Sequence, residues 1–273
     1  MSRVEWKAGP VGVTSDSVAA DASTQGWPKG DRLGSSKMVR KVTSLVRLSL
    51  VALWTGIWLV VALLVYGLTR RHSVPLYLAR RAWAPGALWL VGARLEVVGA
   101  ENLDFSNSCL FVANHSSQVD IPVVFAALDT PLRFLAKKEL RRVPMVGTFM
   151  KAMGMVFIDR GKSESARASI DQLANALEDG MSLMAFPEGT RSPDGSIQQF
   201  KTGAFVAAIK AGVPVVPILI CGAAEVLPAN SLMIVPGTVQ VRVGEPLPSR
   251  GLELDDRRRY ADRVHSALRG LQR

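Results

Sequence analysis

Short apolar runs that alternate with longer amphipathic patterns from Arg94 onward predict an α/β fold, a mostly parallel sheet flanked by helices. An uncharged stretch from Leu48 to Thr69 adds an N-terminal membrane helix or hairpin. The alternation also sets strand direction, because strands joined through a helix return parallel to one another.

Taken in chain order, residues 1–36 form a polar tail rich in Ser, Asp, Gly and Ala, with few large apolar side chains. Such a composition buries too little surface to offset ordering entropy, so a disordered tail is expected. Residues 37–93 form the membrane-associated segment. Leu48 to Thr69, as a helix rising about 1.5 Å per residue, matches the roughly 30 Å hydrocarbon core. The stretch starts too far from the N-terminus, and lacks the small-residue cleavage site, for a secretory signal peptide. Lys37, Arg40, Lys41 and Arg47 precede it and Arg70 and Arg71 follow it, a balance that suits a hairpin with both ends cytoplasmic; a single pass is the alternative. The weaker run Ala82 to Ala93, broken by Pro85-Gly86, is too short to span and is expected to dip into one leaflet.

Residues 94–273 carry the sheet. RLEVVG, CLFVA, RFLAK, MVFI, SLMAF, PVVPILI and VQVRV read as strands. The clearest helix runs from Ser163 to Glu178, where Ala166, Ile170, Leu173, Ala174 and Leu177 share a face and Gly180 supplies the stop. Near the C-terminus, Tyr260, Val264, Leu268 and Leu271 form a packing stripe opposite Arg257, Arg258 and Arg259.

The length of 273 residues suits one α/β domain with extra segments. Lys and Arg outnumber Asp and Glu by 33 to 23, and the resulting charge of +10 attracts nucleic acid, anionic lipid and phosphorylated substrates alike. The two cysteines, Cys109 and Cys221, sit apart in apolar runs, which points to buried thiols in a reducing compartment and to no cysteine-based metal site. Neither a GxGxxG fingerprint nor a GxxxxGK[ST] loop is present, so no dinucleotide or P-loop site is supported.

Two strand ends carry polar residues of an unusual kind. Asn114-His115-Ser116-Ser117-Gln118-Val119-Asp120 follows the run Leu110 to Ala113, which sets His115 at a strand-to-helix turn. An imidazole titrates near neutrality and suits a general base for a hydroxyl. Asp120, five residues on, can fold back to the other ring nitrogen and fix the tautomer. The bland reading is a helix cap by Asn114 or Ser116, with Asp120 at the positive end and His115 incidental. The second constellation, Phe186-Pro187-Glu188-Gly189-Thr190-Arg191-Ser192, also follows a strand. Gly189 permits close backbone approach, and Arg191 offers a planar fork for phosphate. Its bland reading is a turn with a solvated Glu188–Arg191 pair. Lys137, Arg160 and Lys201 lie at or soon after strand ends and would complete an anion-binding rim, although each alone reads as a solvated charge.

NHSSQVD, AKKEL, GMVFIDR, FPEGTRS and VPVVPILI, in this order and spacing over residues 94–247, resemble the glycerolipid acyltransferase family, and within it the 1-acyl-glycerol-3-phosphate acyltransferase branch. The resemblance implies the glycerol-3-phosphate acyltransferase-like fold, with His115 and Asp120 as a charge-relay pair that deprotonates the acceptor hydroxyl for direct attack on a thioester. It assigns Lys137, Arg160, Glu188, Gly189, Thr190 and Arg191 to substrate binding, and Asn114 and Lys201, from their places beside His115 and on the cationic rim, are expected to bind substrate with them. It implies no cofactor and no metal, with acyl-CoA or acyl-carrier protein as donor. The expected partners are a membrane lipid and an anionic membrane surface, to which Arg80-Arg81 and Arg141-Arg142 would add attraction, and no nucleic acid. The expected place is the inner, cytoplasmic membrane, with the catalytic domain facing the cytoplasm. Another lysolipid acceptor, such as lyso-ornithine lipid, is the alternative within this chemistry. A non-catalytic, membrane-anchored protein that binds anionic lipid is the alternative outside it.

Overall fold

The computed structural model describes residues 37–159 and 164–273, so the expected tail over residues 1–36 lies outside the described residues. All seven apolar runs are strands: β1 (Ala93–Val98), β2 (Leu110–Ala113), β3 (Arg133–Lys137), β4 (Val156–Ile158), β5 (Leu183–Ala185), β6 (Val215–Cys221) and β7 (Gly237–Val243). They form one sheet in the order β1-β7-β6-β2-β5-β3-β4. β2 to β6 run parallel, while β7 pairs antiparallel with β6 and β1 runs with β7. The reversal follows from the β6–β7 connection, whose only helix is the short α8 (Ala223–Val226), too little to carry the chain back across the sheet.

The side-chain period of two divides the strands between two cores. In β2, Leu110 and Val112 face one layer and Phe111 and Ala113 the other. β5 repeats this, with Leu183 and Ala185 opposite Met184, and the register pairs Leu110 with both Leu183 and Val215. One layer is covered by α6 (Glu164–Glu178), α7 (Gly203–Ala211) and α9 (Arg257–Gly270). In α6 the predicted face holds, with Leu173, Ala174 and Leu177 buried, and Gly180 ends the helix at φ +83°. In α9, Tyr260, Val264 and Leu268 are buried while Arg257 and Arg259 face solvent, paired with Asp255 and Asp256.

The opposite layer holds α4 (Asp120–Ala127), α5 (Val146–Ala152) and an N-terminal helical hairpin. Its first arm, α1 (Lys37–Thr69), is among the described residues the one helix long and apolar enough to cross a membrane, with mean hydropathy 2.4. The return arm is α2 (Ser73–Leu78), a π-helical turn at Ala79–Trp83, and α3 (Ala84–Val91). Pro85-Gly86 thus does not break this arm. Pro85 sits in the first turn of α3, where its missing N–H costs little. Gly86 lies where the Trp54 indole of α1 packs, leaving no room for a Cβ. The arms are pinned along their length. Arg47 Nη1 donates to the Leu90 carbonyl at 2.9 Å, Trp54 Nε1 donates to the Trp83 carbonyl at 3.0 Å, and Tyr66 stacks on His72.

The hairpin is also bonded to the sheet domain near both ends of α1. Ser44 Oγ exchanges hydrogen bonds with the backbone of Ile234, and His72 Nδ1 lies 2.9 Å from the Ala152 carbonyl. The outer side of α1 remains bare, with Leu45, Leu53, Val60, Leu64 and Leu68 exposed.

Candidate functional site

The parallel strands β2, β3 and β5 end on one edge of the sheet, and the polar segments after them converge there. After β2, His115 Nδ1 lies 2.7 Å from Asp120 Oδ2. The same oxygen accepts the peptide N–H groups of Ser116 and Ser117 at 2.8 and 2.9 Å. Asp120 opens α4, and its side chain folds back over the preceding loop, while no side chain caps the helix. Asp120 is 0% exposed, so those three donors hold its carboxylate in place of water. Ser117 Oγ donates to the Leu227 carbonyl at 2.6 Å and accepts the Val119 N–H at 3.1 Å, which fixes the loop between them.

His115 lies on the wall of a cavity of about 1160 Å³ between the sheet edge and the hairpin. With Nδ1 bonded to the carboxylate, Nε2 is the ring nitrogen left for a substrate. Lys137, Gly189, Thr190, Arg191 and Lys201 line the same cavity. Gly189 has φ +81°, and a Cβ there would meet Lys201 Nζ at 2.6 Å, so glycine lets the lysine ammonium lie across the turn. Arg191 Nη1 is anchored on the Ala229 carbonyl at 3.1 Å.

Two residues expected to bind substrate lie behind the cavity wall. Asn114 is buried, its amide donating to the Ile220 carbonyl at 2.9 Å and accepting the Ile220 N–H at 2.8 Å, which ties the end of β2 to β6. Glu188 is 3% exposed, and its Oε1 accepts the His115 N–H at 3.2 Å. It forms no ion pair with Arg191 among the described residues. Burial pushes the Glu188 carboxyl up to about 7, and the nearby Asp120 charge adds to the rise, against the backbone amides of His115 and Gln198. Arg160 lies outside the described residues. Of the basic pairs, Arg80 and Arg81 bond to Asp129.

Sequence reasoning missed the aromatic side of the site. The Phe186 ring stacks on His115 at 4.1 Å between centroids. From Phe186 the contacts continue through Phe134 and Phe125 to Trp83 of the hairpin, at 6.1, 5.0 and 5.7 Å. Phe186 was legible only as the residue preceding Pro187-Glu188, because ring stacking joins residues far apart in sequence.

The family model described as Acyltransferase matches residues 94–221. The chain is 36% identical over 182 residues to 1-acyl-sn-glycerol-3-phosphate acyltransferase alpha of Ovis aries, covering 66% of this chain and 63% of that relative. It is likewise 36% identical over 156 residues to the chloroplastic 1-acyl-sn-glycerol-3-phosphate acyltransferase BAT2 of Brassica napus, covering 56% of this chain and 45% of the relative. The matched segment therefore spans less than two thirds of either relative. The crystal structure of the 1-acyl-sn-glycerophosphate (LPA) acyltransferase PlsC from Thermotoga maritima superposes with a TM-score of 0.72 at 27% identity, covering 85% of this chain and 96% of that one. On the family model, the curated relatives and the shared fold of the solved structure, the chain belongs to the glycerolipid acyltransferase family.

Proposed function

We propose that this protein moves a fatty acyl group from acyl-CoA or acyl-carrier protein onto the sn-2 hydroxyl of 1-acyl-glycerol-3-phosphate, giving phosphatidic acid. The observation that carries the reading is the 2.7 Å bond between His115 and Asp120 on the wall of a cavity closed by the apolar hairpin. In this reading Nε2 of His115 takes the hydroxyl proton as the oxygen attacks the thioester carbonyl, and Asp120 offsets the charge on the imidazolium. The tetrahedral adduct then collapses. The C–S bond breaks, and the thiolate leaves with the proton returned from His115. No acyl-enzyme forms.

Arg191, Lys137 and Lys201 are the cations on that wall suited to the acceptor phosphate. The apolar part of the same cavity, with Leu59, Ala62, Phe125 and Met153 among its lining, suits an acyl chain. The names of the relatives favour this acceptor.

The hairpin seats the enzyme on the membrane in this reading. An apolar outer stripe on α1, with the sheet domain bonded near both of its ends, suits a helix lying in one leaflet rather than crossing both. The catalytic domain then stands at the interface on the cytoplasmic side, which a soluble thioester donor and the free thiols of Cys109 and Cys221 suit.

The test is to supply membranes carrying the protein with labelled acyl-CoA or acyl-carrier protein and a panel of lysolipids. Labelled phosphatidic acid from 1-acyl-glycerol-3-phosphate is the expected product. Transfer to a different lysolipid, with none to this one, would overturn the acceptor assignment.

A further inference from the structure

Two buried carboxyl groups meet at His115, Asp120 on its Nδ1 and Glu188 on its peptide N–H. Asp120 is 0% exposed and Glu188 3%. Each has one oxygen within hydrogen-bond geometry of N–H donors and one outside it, the Gln198 amide acting on Glu188 without such a bond to Oε2. Asp120 Oδ2 accepts three N–H donors, and Glu188 Oε1 accepts the His115 peptide N–H at 3.2 Å. Among the described residues, the buried Asp120 Oδ1 and Glu188 Oε2 have no hydrogen-bond partner.

Two ionised carboxylates in this setting would be costly. His115 is the only salt-bridge partner of Asp120 among the described residues, and no Lys or Arg pairs with Glu188. A buried pair of like charges sheds its repulsion by keeping one proton. Three donors on a single oxygen stabilise negative charge on Asp120, so the proton belongs on Glu188. It belongs on Oε2, because Oε1 already accepts. A buried hydroxyl then needs an acceptor, and an idle acceptor oxygen lies within the same pair. The two unpartnered atoms are complementary once one of them carries hydrogen.

We infer that Glu188 is held as a neutral carboxyl whose Oε2 hydroxyl donates to Asp120 Oδ1, directly or across one buried water, so that it positions the His115–Asp120 pair and does not bind substrate. This rests on the acyltransferase reading for its kinetic consequence only. Burial and the Asp120 charge act on Glu188 in the direction this requires. The cavity agrees, since its wall includes Pro187, Gly189, Thr190 and Arg191 but not Glu188. Glu188 thus braces the dyad from both sides, its Oε1 on the peptide of the base and its Oε2 on the carboxylate that orients the base.

The full-length protein in lipid vesicles tests this in two ways. Infrared difference spectra between wild type and Glu188→Gln at neutral pH should show the loss of a protonated-carboxyl stretch that shifts in deuterium oxide. This readout needs no turnover, so its failure is separate from any failure of the acyltransferase reading. In the assay above, Glu188→Gln keeps an N–H donor for Asp120 and a carbonyl for His115. It should retain kcat within about threefold, whereas Glu188→Ala should lose about 100-fold in kcat with KM little changed. No protonated-carboxyl band, or a Glu188→Gln variant as slow as Glu188→Ala, would overturn the inference. So would a rise in KM for the acceptor at unchanged kcat, which marks a residue that binds substrate.

Discussion

The ring of Phe186 lies against that of His115 at 4.1 Å between centroids and 17° between planes, while Asp120 holds the imidazole by Nδ1. One partner fixes the ring's plane and the other its rotation. Phe186→Ala removes the stack and leaves the hydrogen bond. An aromatic contact of this kind is worth about 0.5–1.5 kcal/mol beyond area, so kcat should fall about two- to tenfold. Steady-state kinetics should show the smaller loss for Phe186→Leu, which restores bulk without a ring.

Gly189→Ala should weaken acceptor binding. The backbone there has φ +81°, which costs a residue with a Cβ about 1–2 kcal/mol, and the new Cβ would push Lys201 Nζ aside. The expected result is a higher KM for the lysolipid phosphate with a smaller change in kcat. Pairing it with Lys201→Ala gives a double-mutant cycle, in which the two effects should be less than additive.

Asn114→Leu should act on stability. It removes two buried hydrogen bonds to Ile220, at 2.9 and 2.8 Å, and strands the Ile220 N–H and carbonyl. A loss of about 2–4 kcal/mol is expected by denaturant unfolding. His115 should move with the loosened end of β2, so activity falls in the same variant.

Glu188 makes stability depend on pH. Its carboxyl rises from 4.5 to about 7, chiefly through burial and then through the Asp120 charge. Between those values the folded chain holds a proton that the unfolded chain has lost. The contribution of Glu188 is therefore complete below pH 4.5 and is lost as pH rises toward about 7. Asp120 and His115, the titratable groups beside it, are common to wild type and Glu188→Gln. The stability of wild type relative to that variant should decline across this window and stay flat above it, read from thermal unfolding over a pH series.

Much of this molecule is written locally. Every strand was legible locally: β2, β5 and β6, buried on both faces, are continuous apolar runs, while β3 and β7 alternate buried and less buried positions. His115 and Asp120 were legible as a pair because they are five residues apart across a single turn. What escaped depends on segments distant in sequence. Asn114 reads as a cap or a ligand until β6 arrives 106 residues later and takes both ends of its amide. Glu188 reads as a surface partner of Arg191 until β5 brings it behind the peptide of His115, 73 residues away. Pro85-Gly86 reads as a break, yet the glycine is a docking point for Trp54. Local pattern reports which face is buried, not which distant side chain completes it.

Acyl transfer in this protein depends on His115 acting as the base under the direction of Asp120. The most direct measurement is the initial rate of labelled phosphatidic acid formation by wild type, His115→Ala and Asp120→Asn at equal protein in the same vesicles. His115→Ala should give no turnover above background while still co-sedimenting with the vesicles, and Asp120→Asn should lose about 1,000-fold or more. Substantial turnover by His115→Ala would remove His115 as the base.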